Sequence, residues 1–276
     1  MNLNNYWEEI KSCLVVVVKV GTSTLCYPNG KINFQRIDKL TAILAGIQKT
    51  GRKIILVSSG AIAVGSGRLG LTSKPVDLSE KQALAAIGQA ELMKIYQKLF
   101  EARGQKVAQV LLTKDIVTMP ERRKNASNTL TALIKMDVIP VINENDTVAT
   151  DEIVFGDNDT LSAYVACLVN ADLLVMMSDI DGLYSSDPRV DPEATIIPLI
   201  TEVNGELEKS AKGSASSFGT GGMITKISAA KVCSEQGIPV TITNGANPEI
   251  LTRIINGEPT GTLFYWEKKT EKIKMG

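Results

Sequence analysis

The stretch Cys13-Leu14-Val15-Val16-Val17-Val18-Lys19-Val20-Gly21-Thr22-Ser23 decides the fold. Its branched aliphatic run shows no polar alternation, so both faces of the segment are expected to be covered, as in a strand inside a parallel sheet. Similar runs follow at Lys53 to Ser58, Lys106 to Leu112, Val138 to Asn143, Leu173 to Ser178 and Pro239 to Thr243. Between them lie helix-length amphipathic stretches: Gln35 to Thr50, Ser79 to Arg103, Asn128 to Lys135, Asp159 to Asn170 and Met223 to Gln236. Strands alternating with helices predict an α/β fold, a three-layer αβα sandwich around a largely parallel central sheet.

The chain of 276 residues is 44% hydrophobic and 22% charged, enough apolar material for one large domain or two closely joined lobes. Lysine plus arginine equals aspartate plus glutamate at 30 each, which gives no electrostatic footprint for nucleic acid or anionic lipid. A small ligand is the expected partner. Cys13, Cys26, Cys167 and Cys233 lack CxxC spacing and read as small core residues of a protein in a reducing compartment. No apolar run approaches the roughly 18 residues of a membrane span, and Met1 to Lys11 lacks the basic-then-apolar layout of a signal peptide, so a cytoplasmic location is expected. The chain has no histidine, which removes Ser-His-Asp hydrolysis and histidine-held zinc together. Lysines, carboxylates, magnesium and backbone amides remain.

In an open parallel sheet, ligands collect beyond the carboxyl ends of the strands. The first strand ends in Lys19-Val20-Gly21, where glycine permits close backbone approach to a phosphate and the lysine supplies positive charge; taken alone, Lys19 reads more readily as a solvent-facing strand end. The second runs into Ser58-Ser59-Gly60-Ala61-Ile62-Ala63, small residues that let a helix begin beside an anion. Gly65-Ser66-Gly67-Arg68-Leu69-Gly70 matches GxGxxG literally but lies too far past its strand for a dinucleotide site, and no GxxxxGK[ST] loop exists.

Pro140 to Asp159 gathers Glu144, Asp146, Asp151, Glu152, Asp157 and Asp159 with Asn143, Asn145 and Asn158. Facing inward, such carboxylates would raise one another's pKa; facing outward, they are a solvated loop, and Asp159 doubles as a possible helix cap. The last cluster joins Ser178-Asp179 to Thr220-Gly221-Gly222-Met223-Ile224-Thr225-Lys226, whose glycines offer amides to phosphate oxygens within a turn of Lys226. Lys209 to Gly222, rich in glycine and serine, reads as a loop.

Taken together, VVVVKVGTSTL, VSSGAIAVG, QALAAIGQAELM, PVINENDTV, FGDNDTLSA, MMSDIDGLYSSDPR and GTGGMITKISAAK resemble the ordered motifs of the glutamate 5-kinases within the amino acid kinase family, over about Leu14 to Phe264. The resemblance implies an amino acid kinase domain over 1–264, with a glutamate-binding lobe at about 12–172 and an ATP-binding lobe at about 173–264. It leaves 265–276 as a short tail with no PUA domain. It further implies transfer of the ATP γ-phosphoryl group to the side-chain carboxylate of L-glutamate, with Mg2+ held mainly by ATP, as the first step of proline synthesis.

Lys19, Lys226 and Asp159 are implied as catalytic, and Ser59, Asp146 and Asn158 as glutamate-binding. Lys19, Ser178, Asp179 and Thr220, Gly221, Gly222, Met223, Ile224, Thr225 and Lys226 are implied as ATP-binding. Ser178 departs from the threonine more usual there. Feedback inhibition by proline, a homo-oligomer (dimer or tetramer), and transient contact with glutamyl-phosphate reductase are further implications, with Thr113 to Asn128 expected to be the responsive loop. An acetylglutamate, carbamate, aspartate or uridylate kinase, an idle ligand sensor and an RNA-binding protein are the competing readings.

Overall fold

The computed structural model describes residues 3–27, 30–71, 73, 75–148, 158–203, 205, 207 and 222–266. Its core is a sheet whose strands, in chain order, are β1 (Val15–Val20), β2 (Lys53–Ser58), β3 (Val107–Leu112), β4 (Ile139–Glu144), β5 (Leu173–Ser178), β6 (Leu199–Ile200), β7 (Val240–Asn244) and β8 (Thr262–Phe264). They lie side by side in the order β3-β4-β2-β1-β5-β7-β8-β6. Every pairing is parallel except β7 with β8. The expected largely parallel sheet is thus present.

Strand side chains alternate between two cores. Val16, Val18, Val20, Ile54, Leu56, Leu173, Val175 and Met177 pack beneath α1 (Leu3–Ile10), α3 (Phe34–Lys49), α4 (Ala61–Arg68), α5 (Leu78–Glu101) and α10 (Ile250–Ile255). Val17, Ile55, Val57, Leu174, Met176 and Ile242 pack beneath α6 (Asp115–Thr118), α7 (Pro120–Lys135), α8 (Asn158–Leu168) and α9 (Met223–Ser234). A short helix, α2 (Thr22–Leu25), follows β1 directly. Helices on both faces make the three-layer αβα sandwich.

Two glycine-mediated contacts bring α4 hard against α5. A Cβ on Gly65 would lie 2.0 Å from the Leu84 carbonyl oxygen, and one on Gly88 would lie 1.8 Å from that of Ala61. The literal GxGxxG therefore has a packing explanation at Gly65, and Gly67 likewise faces the Gly30 backbone, 2.6 Å from where its Cβ would be.

The expectation of a loop across Thr113 to Asn128 is corrected: α6 and most of α7 occupy it. Pro120 stands at the start of α7, where its missing N–H costs nothing, and the basic residues behind it are good helix formers. Only Leu130 of α7 is buried, so the helix lacks the apolar stripe that would have revealed it. All four cysteines are buried, and none is in a disulfide. Most of the expected loop at Lys209 to Gly222 lies outside the described residues, as do Asp151, Glu152, Asp157, Thr220 and Gly221.

Candidate active site

The carboxyl ends of β1, β2, β4 and β5 converge with the amino end of α8. Lys19, next to last in β1, points to the α8 and α9 face by the alternation that sends Val18 and Val20 to the other core. It is 6% exposed, which rules out the solvent-facing alternative. Its Nζ lies 2.5 Å from Oδ1 of Asp159, and Nζ of Lys226 lies 3.0 Å from Oδ2. Thr225 Oγ1 lies 3.0 Å from the same Oδ2 and 2.7 Å from the Gly222 carbonyl oxygen, with one hydrogen to donate between them.

Asp159 is fully buried. Burial alone would raise its pKa, but the two ammonium groups outweigh that cost and hold the carboxyl well below the usual range. A residue whose position near the start of a helix suggested a cap instead bridges two cations. Among the described residues, the result is a buried cluster in which two lysines share one carboxylate at the mouth of the sheet.

Asn158, the preceding residue, turns toward the other face. Its Nδ2 lies 2.9 Å from the Ser58 carbonyl, 3.0 Å from Ser59 Oγ and 2.8 Å from Asn143 Oδ1. Asn143 Oδ1 also accepts from the Glu144 backbone N–H at 2.9 Å, and Asn143 Nδ2 donates to Gln89 Oε1 at 2.9 Å. Ser58 Oγ and the Tyr96 hydroxyl are 3.0 Å apart. Gly60, with φ of 94°, makes the left-handed turn that starts α4 beside this network.

Asp146 follows β4 in a turn and, with Gln89, Glu144 and Asn145, lines a cleft of about 250 Å³ between α5 and the ends of β3 and β4. Burial pushes its carboxyl up to about 6. The cause differs from the sequence expectation, which was repulsion among neighbouring carboxylates.

On the far side of β1, Ser178 Oγ donates to Asp179 Oδ1 at 3.0 Å at the end of β5, with Asp179 exposed. Gly222 caps α9; Met223 is buried, whereas Ile224 is 38% exposed.

Sequence reading thus located Lys19, Asp159 and Lys226 as one group, and Ser59 and Asn158 as another. It gave no role to Asn143, Ser58, Gln89 or Tyr96. One available signal was Gly88 in the interior of a helix, where glycine is unfavourable unless another backbone approaches closely. Among the described residues, no three His, Cys, Asp or Glu side chains group as a metal site, and no helix is long and apolar enough to cross a membrane.

An opposed lysine pair at the strand ends of a parallel sheet is an arrangement suited to phosphoryl transfer. Residues 15–244 match the amino acid kinase family, and the chain belongs to that family. The fold is also shared with the UMP kinase of Bacillus anthracis, at a TM-score of 0.62 and 16% identity over 92% of this chain and 96% of that one. Within the family, the chain is similar to the protein named glutamate 5-kinase of Clostridium perfringens, 49% identical over 95% of this chain and 98% of the relative. Proteins of the same name from Listeria monocytogenes (49% identical, 95% of this chain, 96% of the relative) and Enterococcus faecalis (50%, 90% and 93%) match comparably.

Proposed function

We propose that this chain is a glutamate 5-kinase, transferring the γ-phosphoryl group of ATP to the side-chain carboxylate of L-glutamate to give L-glutamyl 5-phosphate and ADP, the first step of proline biosynthesis. The observation that carries the reading is Asp159 holding Lys19 and Lys226 at 2.5 and 3.0 Å, in a chain 49% identical to relatives of that name along nearly its whole length.

The chemistry suits a protein without histidine. A glutamate side-chain carboxylate is ionised at neutral pH and attacks without a general base, so catalysis reduces to alignment and charge neutralisation. Lys19 and Lys226 stabilise the charge that spreads over the transferring phosphoryl oxygens and the leaving bridge oxygen. Asp159 keeps both lysines in register, and its low pKa keeps it anionic throughout the physiological range.

Nucleotide contacts are assigned to Ser178, Asp179 and the segment Thr220 to Lys226, over β5 and the start of α9. Glutamate is assigned to the other side, against Ser59, Asn158 and Asp146. Asp146 accepts the substrate ammonium, whereas an acetylated amine would leave that carboxylate without its partner, so glutamate is preferred to N-acetylglutamate. With Asp159 already shared by two ammonium groups, magnesium is assigned to the nucleotide phosphates and not to a protein cage. When bound there, it neutralises phosphate oxygens. Feedback by proline at a site overlapping that of glutamate, a dimer or tetramer, contact with the reductase and a cytoplasmic location complete the proposal.

The test is ADP release by the purified protein with ATP and magnesium, comparing glutamate, N-acetylglutamate, aspartate and bicarbonate plus ammonia, each with and without proline. Glutamate-dependent release suppressed by proline is the expected result. Turnover with another acceptor alone would refute the substrate assignment.

A further inference from the structure

The block QALAAIGQAELM contributes none of the residues assigned above to substrate, yet α5, which contains it, touches the acceptor side of the site at two points one heptad apart on a single helix face. Tyr96 meets Ser58 Oγ at 3.0 Å, and Gln89 Oε1 receives the Asn143 Nδ2 hydrogen at 2.9 Å. Ser58 and Asn143 are the residues whose carbonyl and side-chain oxygens receive Asn158 Nδ2, at 2.9 and 2.8 Å. We propose that Gln89 is a positioning residue for the acceptor amino acid, holding Asn143 so that Asn143 in turn holds the Asn158 amide toward the substrate. The inference rests on the glutamate kinase reading.

Backbone groups set the polarity of this chain of amides. The Glu144 N–H can only donate, so the Asn143 atom it meets at 2.9 Å is the oxygen. The other end of that amide is therefore the NH2 group, and it requires an acceptor where Gln89 Oε1 stands. The Ser58 carbonyl can only accept, which likewise fixes Asn158 with its nitrogen toward the strand ends. Asn143 is 3% exposed, so without Gln89 its NH2 group faces the cost of a buried donor left without its acceptor, and the side chain is driven to another rotamer. Gly88 brings this stretch of α5 within reach, because any side chain at 88 would run into the Ala61 carbonyl. Gln89 also lines the cleft that contains Asp146, so the same side chain borders both ends of the proposed amino acid site.

The experiment is steady-state kinetics of ADP release on the full chain for wild type, Gln89→Met, Gln89→Glu, Asn143→Ala and the double variant Gln89→Met with Asn143→Ala, with melting temperature measured for each. Gln89→Met keeps the length but removes the acceptor. It is expected to raise KM for glutamate roughly tenfold, the scale of one buried hydrogen bond left unmade, while kcat and KM for ATP stay within about twofold. Gln89→Glu retains an acceptor oxygen at the same reach and is expected to restore KM to within about threefold of wild type. If Gln89 acts through Asn143, its substitution adds little once Asn143 is already alanine. Additive effects in the double variant would overturn the inference, as would a Gln89→Met protein that only melts lower with KM unchanged. Absence of glutamate-dependent turnover in the wild type would overturn the reaction itself and this inference with it, an outcome the wild-type control separates from failure at Gln89 alone.

Discussion

Asn158 and Asp159 are consecutive residues that serve opposite faces of the sheet, and the two halves they organise are built from different chemistry. On the α8 and α9 face, charge dominates: two buried lysines share one carboxylate. On the α5 face, the network consists of neutral amides and hydroxyls from Asn158, Asn143, Gln89, Ser58 and Tyr96. A second contrast runs parallel to the first. Asp159 and Asp146 are both withdrawn from water, but cations hold the first well below its ordinary pKa and burial lifts the second to about 6. The difference teaches that the carboxylate of the ionic half already has its cations from the protein itself. Asp146, on the neutral side, has burial without such a cation among the described residues to offset it, which suits the proposed pairing with a substrate ammonium.

The comparison can be broken most forcefully at Asp159. Asp159→Asn removes the carboxylate that two buried ammonium groups share and is expected to destabilise the fold by about 3–5 kcal/mol, read by chemical denaturation, with turnover lost. Lys19→Ala and Lys226→Ala should each lower kcat at least ~100-fold, the scale of removing one electrostatic stabiliser, with a much smaller change in KM for glutamate. Near-normal turnover in either would detach that lysine from the chemistry.

Asp146→Asn belongs to the other half and should raise KM for glutamate roughly 10- to 100-fold, the worth of a hydrogen bond to a charged group, leaving kcat nearly unchanged. The same carboxyl gives the half its pH dependence. In wild type, KM for glutamate should climb as pH falls through about 6, because only the ionised form pairs with the ammonium; the slope should vanish in Asp146→Asn. Stability carries the opposite sign. A carboxyl raised in the fold stabilises it below the unfolded pKa, and that contribution disappears as pH rises through about 6, so Asp146→Asn should be the more stable protein at pH 8 and lose that advantage near pH 4. The smallest effect is expected for Ser59→Ala, which removes one neutral hydrogen bond to Asn158 and should raise KM about two- to tenfold.

How much of this was legible in the sequence divides along physical lines. β2 and β5 were read residue for residue, because two-sided burial writes an unbroken aliphatic run. β6 and β8 were missed: two and three residues are too short to carry a period, and partners distant in sequence define them. α4 was anticipated only as a helix start after β2, without bounds, since its glycines depress helix propensity while enabling the contact with α5.

Lys19, Asp159 and Lys226 were found as motif residues, but their meeting at one carboxylate depends on β1, α8 and α9 being brought together by the sheet order. Gln89 and Tyr96 remained silent because an inward-facing polar residue on an amphipathic helix does not announce which strand it meets. Asp146 was named as the partner of the substrate ammonium, in an acidic cluster whose facing the sequence left open. Its neighbours in sequence suggested mutual repulsion, whereas the structure supplies desolvation.

The adjacency of Asn158 and Asp159 has a geometric corollary. Under the proposed function, one residue anchors the acceptor side and the next the phosphoryl side, so the gap between the two reactants is gauged by a single peptide link. Lengthening or shortening the segment that precedes α8 shifts both anchors or neither. That spacing is thereby insulated from insertion and deletion in the preceding chain, and drift in α8 as a rigid rod carries both anchors along together.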